Sequence, residues 1–195
     1  MWNARYSDVE YVYGTTPNEF LASVAGLIPK GRVLSLGEGE GRNAVFLAEL
    51  GCKVLAVDSS SVGLGKAQRL ADDRGVTIES RVADLAGFAI EPGGWDGIVS
   101  IFCHLPSGIR RSVHRKVVAG LRPGGVFVLE AYTPAQLRLK TGGPPTADMS
   151  MTLDALRTEL DGLRFTLGRE LEREVVEGKY HTGRGAVVQV VAVKP

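Results

Sequence analysis

Apolar residues along this chain switch between two spacings. Short apolar runs at 33–36, 53–58, 95–101 and 126–131 read as buried strands, and the shorter, more polar run at 77–82 suits a sheet edge. Between them, apolar positions return at helical spacing. Phe20, Leu21, Val24, Ala25 and Leu27 predict a helix from Pro17 to a stop at 29–31, and Val45, Leu47, Ala48 and Leu50 predict a second. Leu64, Ala67, Leu70 and Ala71 predict a third over 62–74, ended by Gly75. A fourth covers 109–121, with Arg110, Arg111, Arg115 and Lys116 read as its solvated face. Strands and helices in alternation predict an α/β, doubly wound, mostly parallel sheet covered on both faces.

The last third changes rhythm. Residues 133–146 form a Pro/Gly-rich connection of a length that is often functional, and 153–163 has helical spacing with Thr152 as N-cap. Segments 165–177 and 186–193 read as strands joined by a hairpin at 178–185. If the first of these runs parallel to the others, the hairpin tip lies on the ligand side of the sheet. Tyr180, His181 and Arg184 are then candidate substrate contacts. At the other end, residues 1–16 lack periodicity and carry Trp2, Arg5, Tyr6, Tyr11 and Tyr13, which predicts a cap closing over a ligand through Arg5, Tyr11 and Tyr13.

Composition narrows the function classes. With 195 residues, 44% of them hydrophobic, the chain suits a single domain spanning 1–195, with 1–16 as its N-terminal cap. A net charge of +1 with mixed signs argues against a nucleic-acid partner. Two cysteines without a CxxC pair and three scattered histidines indicate neither a disulfide framework nor a metal site. No apolar run nears the roughly 18 residues that span a bilayer, so the expectation is a cytoplasmic protein without a membrane partner.

The candidate chemistry gathers where strands end. Gly37, Gly39 and Gly41 follow the first strand directly and lead into a helix, a strand–turn–helix unit that suits a nucleotide-type ligand. Asp58 closes the next strand 21 residues after Gly37, where it can accept hydrogen bonds from ribose hydroxyls. Asp84 and Leu85 follow the third strand, placed to meet an adenine amino group and ring. The fourth ends in Phe102, Cys103 and His104, facing the same crevice. Two ligands fit such a sheet: a nicotinamide dinucleotide and S-adenosylmethionine. The spacing is GxGxG, and Glu38 and Glu40 occupy the loop. Each carboxylate would cost on the order of 1 to 3 kcal/mol beside a diphosphate at an effective dielectric of about 20. Beside a sulfonium and an ammonium group the same charges are favourable, which points to the methyl donor.

Residues 33–41, Asp58, Asp84, the Trp95-Asp96-Gly97-Ile98 strand and Leu121-Arg-Pro-Gly-Gly125 resemble the successive motifs of class I S-adenosylmethionine-dependent methyltransferases. Tyr11-Val-Tyr-Gly14 and Gly39-Glu-Gly-Arg-Asn-Ala44 are similar to the tellurite-resistance and thiopurine methyltransferase-like group, whose members act on small molecules and fold the N-terminus over the cofactor. The resemblance implies a Rossmann-like, seven-stranded sheet with an antiparallel last strand. It also implies S-adenosyl-L-methionine as cofactor and S-adenosyl-L-homocysteine as product. Gly37 and Gly39 would line the methionine part, Asp58 the ribose, Asp84 and Leu85 the adenine, and Phe102 the face near the sulfonium, with Glu38, Asn43 and Ser59 as further cofactor-binding residues. His104 is the candidate base for an amine or hydroxyl acceptor, whereas a thiol, halide or chalcogen oxyanion needs none. One departure stands out: the family's acid two residues before its first glycine is Ser35 here. The Asn/Asp-Pro-Pro-aromatic tetrapeptide of nucleic-acid amino methylation is replaced by Ser100-Ile-Phe-Cys-His104, which favours a small-molecule acceptor. A nicotinamide-dependent reductase and a non-catalytic adenosyl-ligand sensor are the alternatives the same fold permits.

Overall fold

The computed structural model describes residues 2–179 and 181–195. Helix α1 (Trp2–Arg5) leads to α2 (Glu19–Val24) and a 3-10 turn (Ala25–Leu27). The alternating core follows: β1 (Arg32–Leu36), α3 (Arg42–Glu49), β2 (Lys53–Asp58), α4 (Ser61–Asp73), β3 (Glu79–Val82), β4 (Trp95–Ile101), α5 (Ser107–Gly120) and β5 (Leu121–Tyr132). Helix α6 (Gln136–Leu139), a 3-10 turn (Ala147–Met149), α7 (Leu153–Glu159), β6 (Arg164–Val176) and β7 (Thr182–Val193) complete it.

The strands form one seven-stranded sheet in the order β3-β2-β1-β4-β5-β7-β6. Strands β1 to β5 pair in parallel, and β7 runs antiparallel to both of its neighbours. This is the doubly wound methyltransferase-type sheet expected from the sequence. Because β7 is reversed twice over, β6 runs with β1 to β5. The β6–β7 loop therefore lies at the carboxyl end of the sheet. Strand order reverses between β1 and β4, the switch point at which α/β sheets open a crevice for ligands.

Alternation of side chains across the pleat divides the interior in two. Val33, Val99, Val126 and Val128 face Leu21, Val45, Leu47, Leu64 and Leu70 from α2, α3 and α4. Leu34, Ile98, Phe127 and Leu129 face Val113 and Val117 of α5 and Leu156 of α7. Both faces are therefore apolar and covered, which explains why the central strands read as unbroken apolar runs.

Several boundaries differ from the sequence reading. Arg122 to Gly125 project from β5 as a bulge, since the register jumps from Trp95–Leu121 to Gly97–Val126. The hairpin is tighter than 178–185, because pairing continues to Val176–Thr182. Arg110 is not on a solvated face. It is buried, donates to both oxygens of Glu159, and donates through Nη1 to the carbonyls of Asp148 and Ser150 at 3.0 Å. The helical period marks a face, but only packing tells that α7 and the 147–149 turn cover this one.

Gly41 shows how tightly α3 and α4 meet. Its φ is +96°, and a Cβ there would lie 2.6 Å from the Ala67 Cα. Gly41→Ala is expected to cost about 2 kcal/mol or more, combining left-handed strain with backbone overlap. Thermal unfolding should register this as a drop of about 4 °C or more for a chain of this size. An unchanged melting temperature would mean that the two helices separate freely.

Candidate functional site

The site is built from the carboxyl ends of β1, β2 and β4. Gly37 leaves β1 with φ +65°, and a Cβ on it would stand 2.7 Å from the Cys103 Sγ. Glycine is required here so that the β1 and β4 loops can approach. Glu38 then turns back over the helix: its Oε1 accepts from the Asn43 and Ala44 amides at 3.0 Å each, satisfying two of the amide donors at the start of α3. Its Oε2 accepts from the Ser35 hydroxyl. The carboxylate that the resemblance places at position 35 is thus brought against Ser35 from three residues on. Burial raises the pKa of Glu38 above the usual carboxylate range, so its negative charge lacks solvation that a nearby cation would supply.

Glu40 differs from the expectation of a second charge free for the ligand. It pairs with Lys66 at 2.7 Å and accepts from the Tyr13 amide at 3.1 Å, which ties the cap to α4. Asp58 holds the loop from the β2 side. Its Oδ2 accepts from the Gly39 amide at 2.9 Å and its Oδ1 from the Ser60 amide at 2.8 Å, which leaves each oxygen a further lone pair. Burial raises this carboxyl group's pKa as well.

These groups open into one cavity of about 730 Å³. Asp58, Ser59, Asp84 and Leu85 line one end, and Gly37, Glu38 and Asn43 the middle. Phe102, His104 and His181 line it as well, and Trp2, Arg5, Tyr6 and Tyr13 belong to the cap. The volume falls in the range of small-molecule and cofactor sites. Its lining combines the carboxylates of Glu38, Glu40, Asp58 and Asp84 with aromatic and apolar side chains, and among the described residues its arginines are Arg5 and Arg42.

The aromatic end is more constrained than sequence suggests. Phe102 holds φ +50°, a conformation disfavoured for a bulky residue, with its amide on the Glu130 carbonyl at 2.7 Å. Its ring stacks on Tyr132 with centroids 4.6 Å apart and meets His181 edge-on at 4.7 Å. His104 is tied at both nitrogens, Nδ1 donating to the Met149 carbonyl at 3.0 Å and Nε2 accepting from the Tyr132 amide at 3.4 Å. Burial pulls its pKa down to about 4. With its lone pair engaged, it stands as a bracing group between β5 and the 147–149 turn, not as a free base. Burial likewise pushes the Cys103 thiol up to about 12, which keeps it protonated near neutral pH.

Of the residues singled out from sequence, Arg5, Tyr13 and His181 reach the cavity. Tyr11 does not: its hydroxyl donates to the Lys66 carbonyl, and its ring packs near that ammonium. Arg184 points away and pairs with Glu172 at the surface of the hairpin, because alternation along β7 turns it outward. Gly39 is covered by the Tyr6 hydroxyl and serves through its amide on Asp58. Tyr180 lies outside the described residues. Sequence reasoning missed Tyr6, Arg42, Met149 and the Gly142–Pro145 stretch as cavity walls. The Pro/Gly-rich connection did mark the last of these as a long loop of functional length, and Arg42 sits inside the quoted glycine motif.

Comparison with known proteins agrees with this geometry. A methyltransferase domain family matches residues 33–125. The 2-heptyl-1-hydroxyquinolin-4(1H)-one methyltransferase of Mycobacteroides abscessus is 27% identical over 117 residues, 58% of this chain and 52% of its own. The chain spans about half the length of the curated relatives it matches. Among solved structures, TehB from Haemophilus influenzae superposes with a TM-score of 0.75 at 18% identity, over 100% of this chain and 66% of that one. The protein solved for the conversion of a disulfide bond into a thioacetal group during echinomycin biosynthesis gives 0.79 at 18% identity, over 99% and 90%. These last two likenesses concern the fold. Together the comparisons show a methyltransferase domain match over residues 33–125, set in the Rossmann-like sheet order and glycine loop of the S-adenosylmethionine-dependent methyltransferase fold.

Proposed function

We propose that the protein transfers a methyl group from S-adenosylmethionine to a small molecule. One observation carries this reading: a single cavity of about 730 Å³ joins the Asp58–Asp84 end to the aromatic end beneath the cap. In this reading Asp58 and Ser59 hold the ribose, Asp84 and Leu85 the adenine, and Gly37 and Glu38 the methionine part. The cofactor, when bound, supplies a methyl group on a positively charged sulfur.

The chain's own residues position and enclose. Glu38 and Asp58 provide negative charge on the cofactor side, and Phe102 offers a ring face to the acceptor. Trp2, Tyr6, Tyr13 and the Gly142–Pro145 stretch wall the cavity. Alignment of acceptor and methyl carbon at about 3 to 3.5 Å, in line with the leaving sulfur, is the main catalytic demand of such a displacement. A small acceptor is favoured by the enclosure, and the Mycobacteroides relative is named for one.

The test uses a radiolabelled methyl donor with a small-molecule extract, and with 2-heptyl-1-hydroxyquinolin-4(1H)-one as a defined probe. Label is expected in the small-molecule fraction. Transfer into protein or nucleic acid instead would overturn the acceptor class, and no transfer despite cofactor binding would favour a sensor. Binding has its own readout: S-adenosylhomocysteine at about 100 times its dissociation constant should stabilise the fold by about 2.7 kcal/mol. Stabilisation by NAD(P) but not by S-adenosylhomocysteine would remove the methyl donor from consideration.

A further inference from the structure

Two polar atoms near the aromatic end have no partner. Arg42 is only 7% exposed, and its Nη2 pairs with Glu177. Its Nη1 is shut off from solvent, and among the described residues nothing accepts from it. Nδ1 of His181 is in the same condition. Both residues line the cavity, and the Arg42 charge acts on the His181 ring. Buried donors without partners are rare because each costs about 1 to 3 kcal/mol, so an orphaned guanidinium nitrogen beside a ligand cavity points to a group supplied by the ligand.

The surroundings specify that group. Burial and the Arg42 charge pull His181 down to about 3, and His104 is at about 4, so both imidazoles are neutral near pH 7. This end of the cavity therefore presents an unpartnered guanidinium N–H, with the Arg42 charge itself balanced by Glu177, and imidazoles that are weak bases at neutrality. An ammonium group has no lone pair to offer the free Arg42 N–H, and it would find only weak bases here to take its proton. Phe102, His104 and His181 supply flat faces for a ring.

We infer that the methyl acceptor is an aromatic molecule bound as an oxygen or sulfur anion, its charged atom held by Arg42 Nη1 beside His181. This rests on the methyltransferase reading above. An acceptor arriving as an anion gives its electron pair to the methyl carbon while the carbon–sulfur bond breaks toward sulfur. It carries no proton to be removed, which fits a site whose imidazoles are weak bases.

The probe is para-nitrophenol, whose phenolate has its own absorption band, titrated at neutral pH into the protein saturated with S-adenosylhomocysteine. The phenolate band should grow on binding, and para-nitroaniline, of nearly the same shape but uncharged, should bind about tenfold more weakly or worse. Arg42→Met should lose phenolate binding about tenfold or more, while S-adenosylhomocysteine affinity stays within about threefold, and Arg42→Lys should restore part of it. Equal binding of the two probes to the unsubstituted protein overturns the inference, and this arm needs no variant to fold. Loss of S-adenosylhomocysteine affinity in Arg42→Met also overturns it, because Arg42 would then serve the cofactor's carboxylate. Failure of the unsubstituted protein to bind S-adenosylhomocysteine would instead sink the methyltransferase reading itself.

Discussion

Asp58→Ala is expected to weaken S-adenosylhomocysteine binding about tenfold or more, since a hydrogen bond to a charged group contributes about 1.5 to 3 kcal/mol and 1.4 kcal/mol is a factor of ten. The carboxylate is buried at the end of β2 and already accepts from the Gly39 and Ser60 amides. Two effects are therefore joined in one substitution, the lost ribose contact and a loosened glycine loop. An analogue lacking the ribose hydroxyls separates them by a double-mutant-cycle argument. The unsubstituted protein should bind that analogue more weakly than S-adenosylhomocysteine, whereas Asp58→Ala should bind both alike. Calorimetric titration gives the four dissociation constants. If the analogue suffers equally in both proteins, the ribose does not sit on Asp58.

Glu130→Ala should be the most destabilising of the substitutions considered, although it lies outside the adenosyl-binding residues. Glu130 is fully buried on β5. Its carboxylate accepts from Arg173 at 2.9 and 2.8 Å and from Gln189 at 2.6 Å, and the Asn18 amide also donates to it. Glu177 shares the same cluster, receiving Arg173 at 3.0 Å, Asn18 at 2.7 Å and the Arg42 guanidinium. Two arginines balance two glutamates, so removing Glu130 leaves one excess positive charge among buried groups. Breaking a buried pair from one side typically costs about 3 to 5 kcal/mol, or a melting temperature lower by about 6 to 20 °C at this chain length. The double substitution Glu130→Met with Arg173→Met removes the charges together and should recover much of the loss. A single variant melting within about 2 °C of the parent would show that the cluster is solvated in solution. The cluster joins the segment before α2, the start of α3, β5, β6 and β7, and it also sets the position of Arg42. Stability and the proposed acceptor contact therefore draw on the same charges.

Much of this architecture is legible in the order of residues. The alternation of apolar runs with helical periods requires strands covered on both faces, and the hairpin at the end follows from two β-rich segments around a glycine-rich turn. The cradle was equally legible, because Gly37, Glu38 and Asp58 sit at fixed chain distances from strands whose direction the pattern sets. Local rules suffice there, since a tight turn and a strand end are made by neighbours in sequence. Ser35 is the informative intermediate case. Its departure from the family pattern is visible in the sequence, while its answer, a hydroxyl holding Glu38 across a single turn, is visible only in space.

The sequence alone therefore determined the fold, the place of the ligand crevice and the glycine–acid cradle, because periodicity and turn chemistry are short-range. Tertiary structure decided which polar groups are free. Glu40 was spent on Lys66, His104 on two backbone groups, Arg110 on Glu159, and Tyr11 and Arg184 were turned away, each by partners dozens of residues distant or on the opposing strand. Whether a charge or a lone pair remains available to a ligand depends on desolvation and pairing among groups brought together only by the completed sheet. That is why Arg42, unremarked within the glycine motif, became the group on which the acceptor chemistry turns.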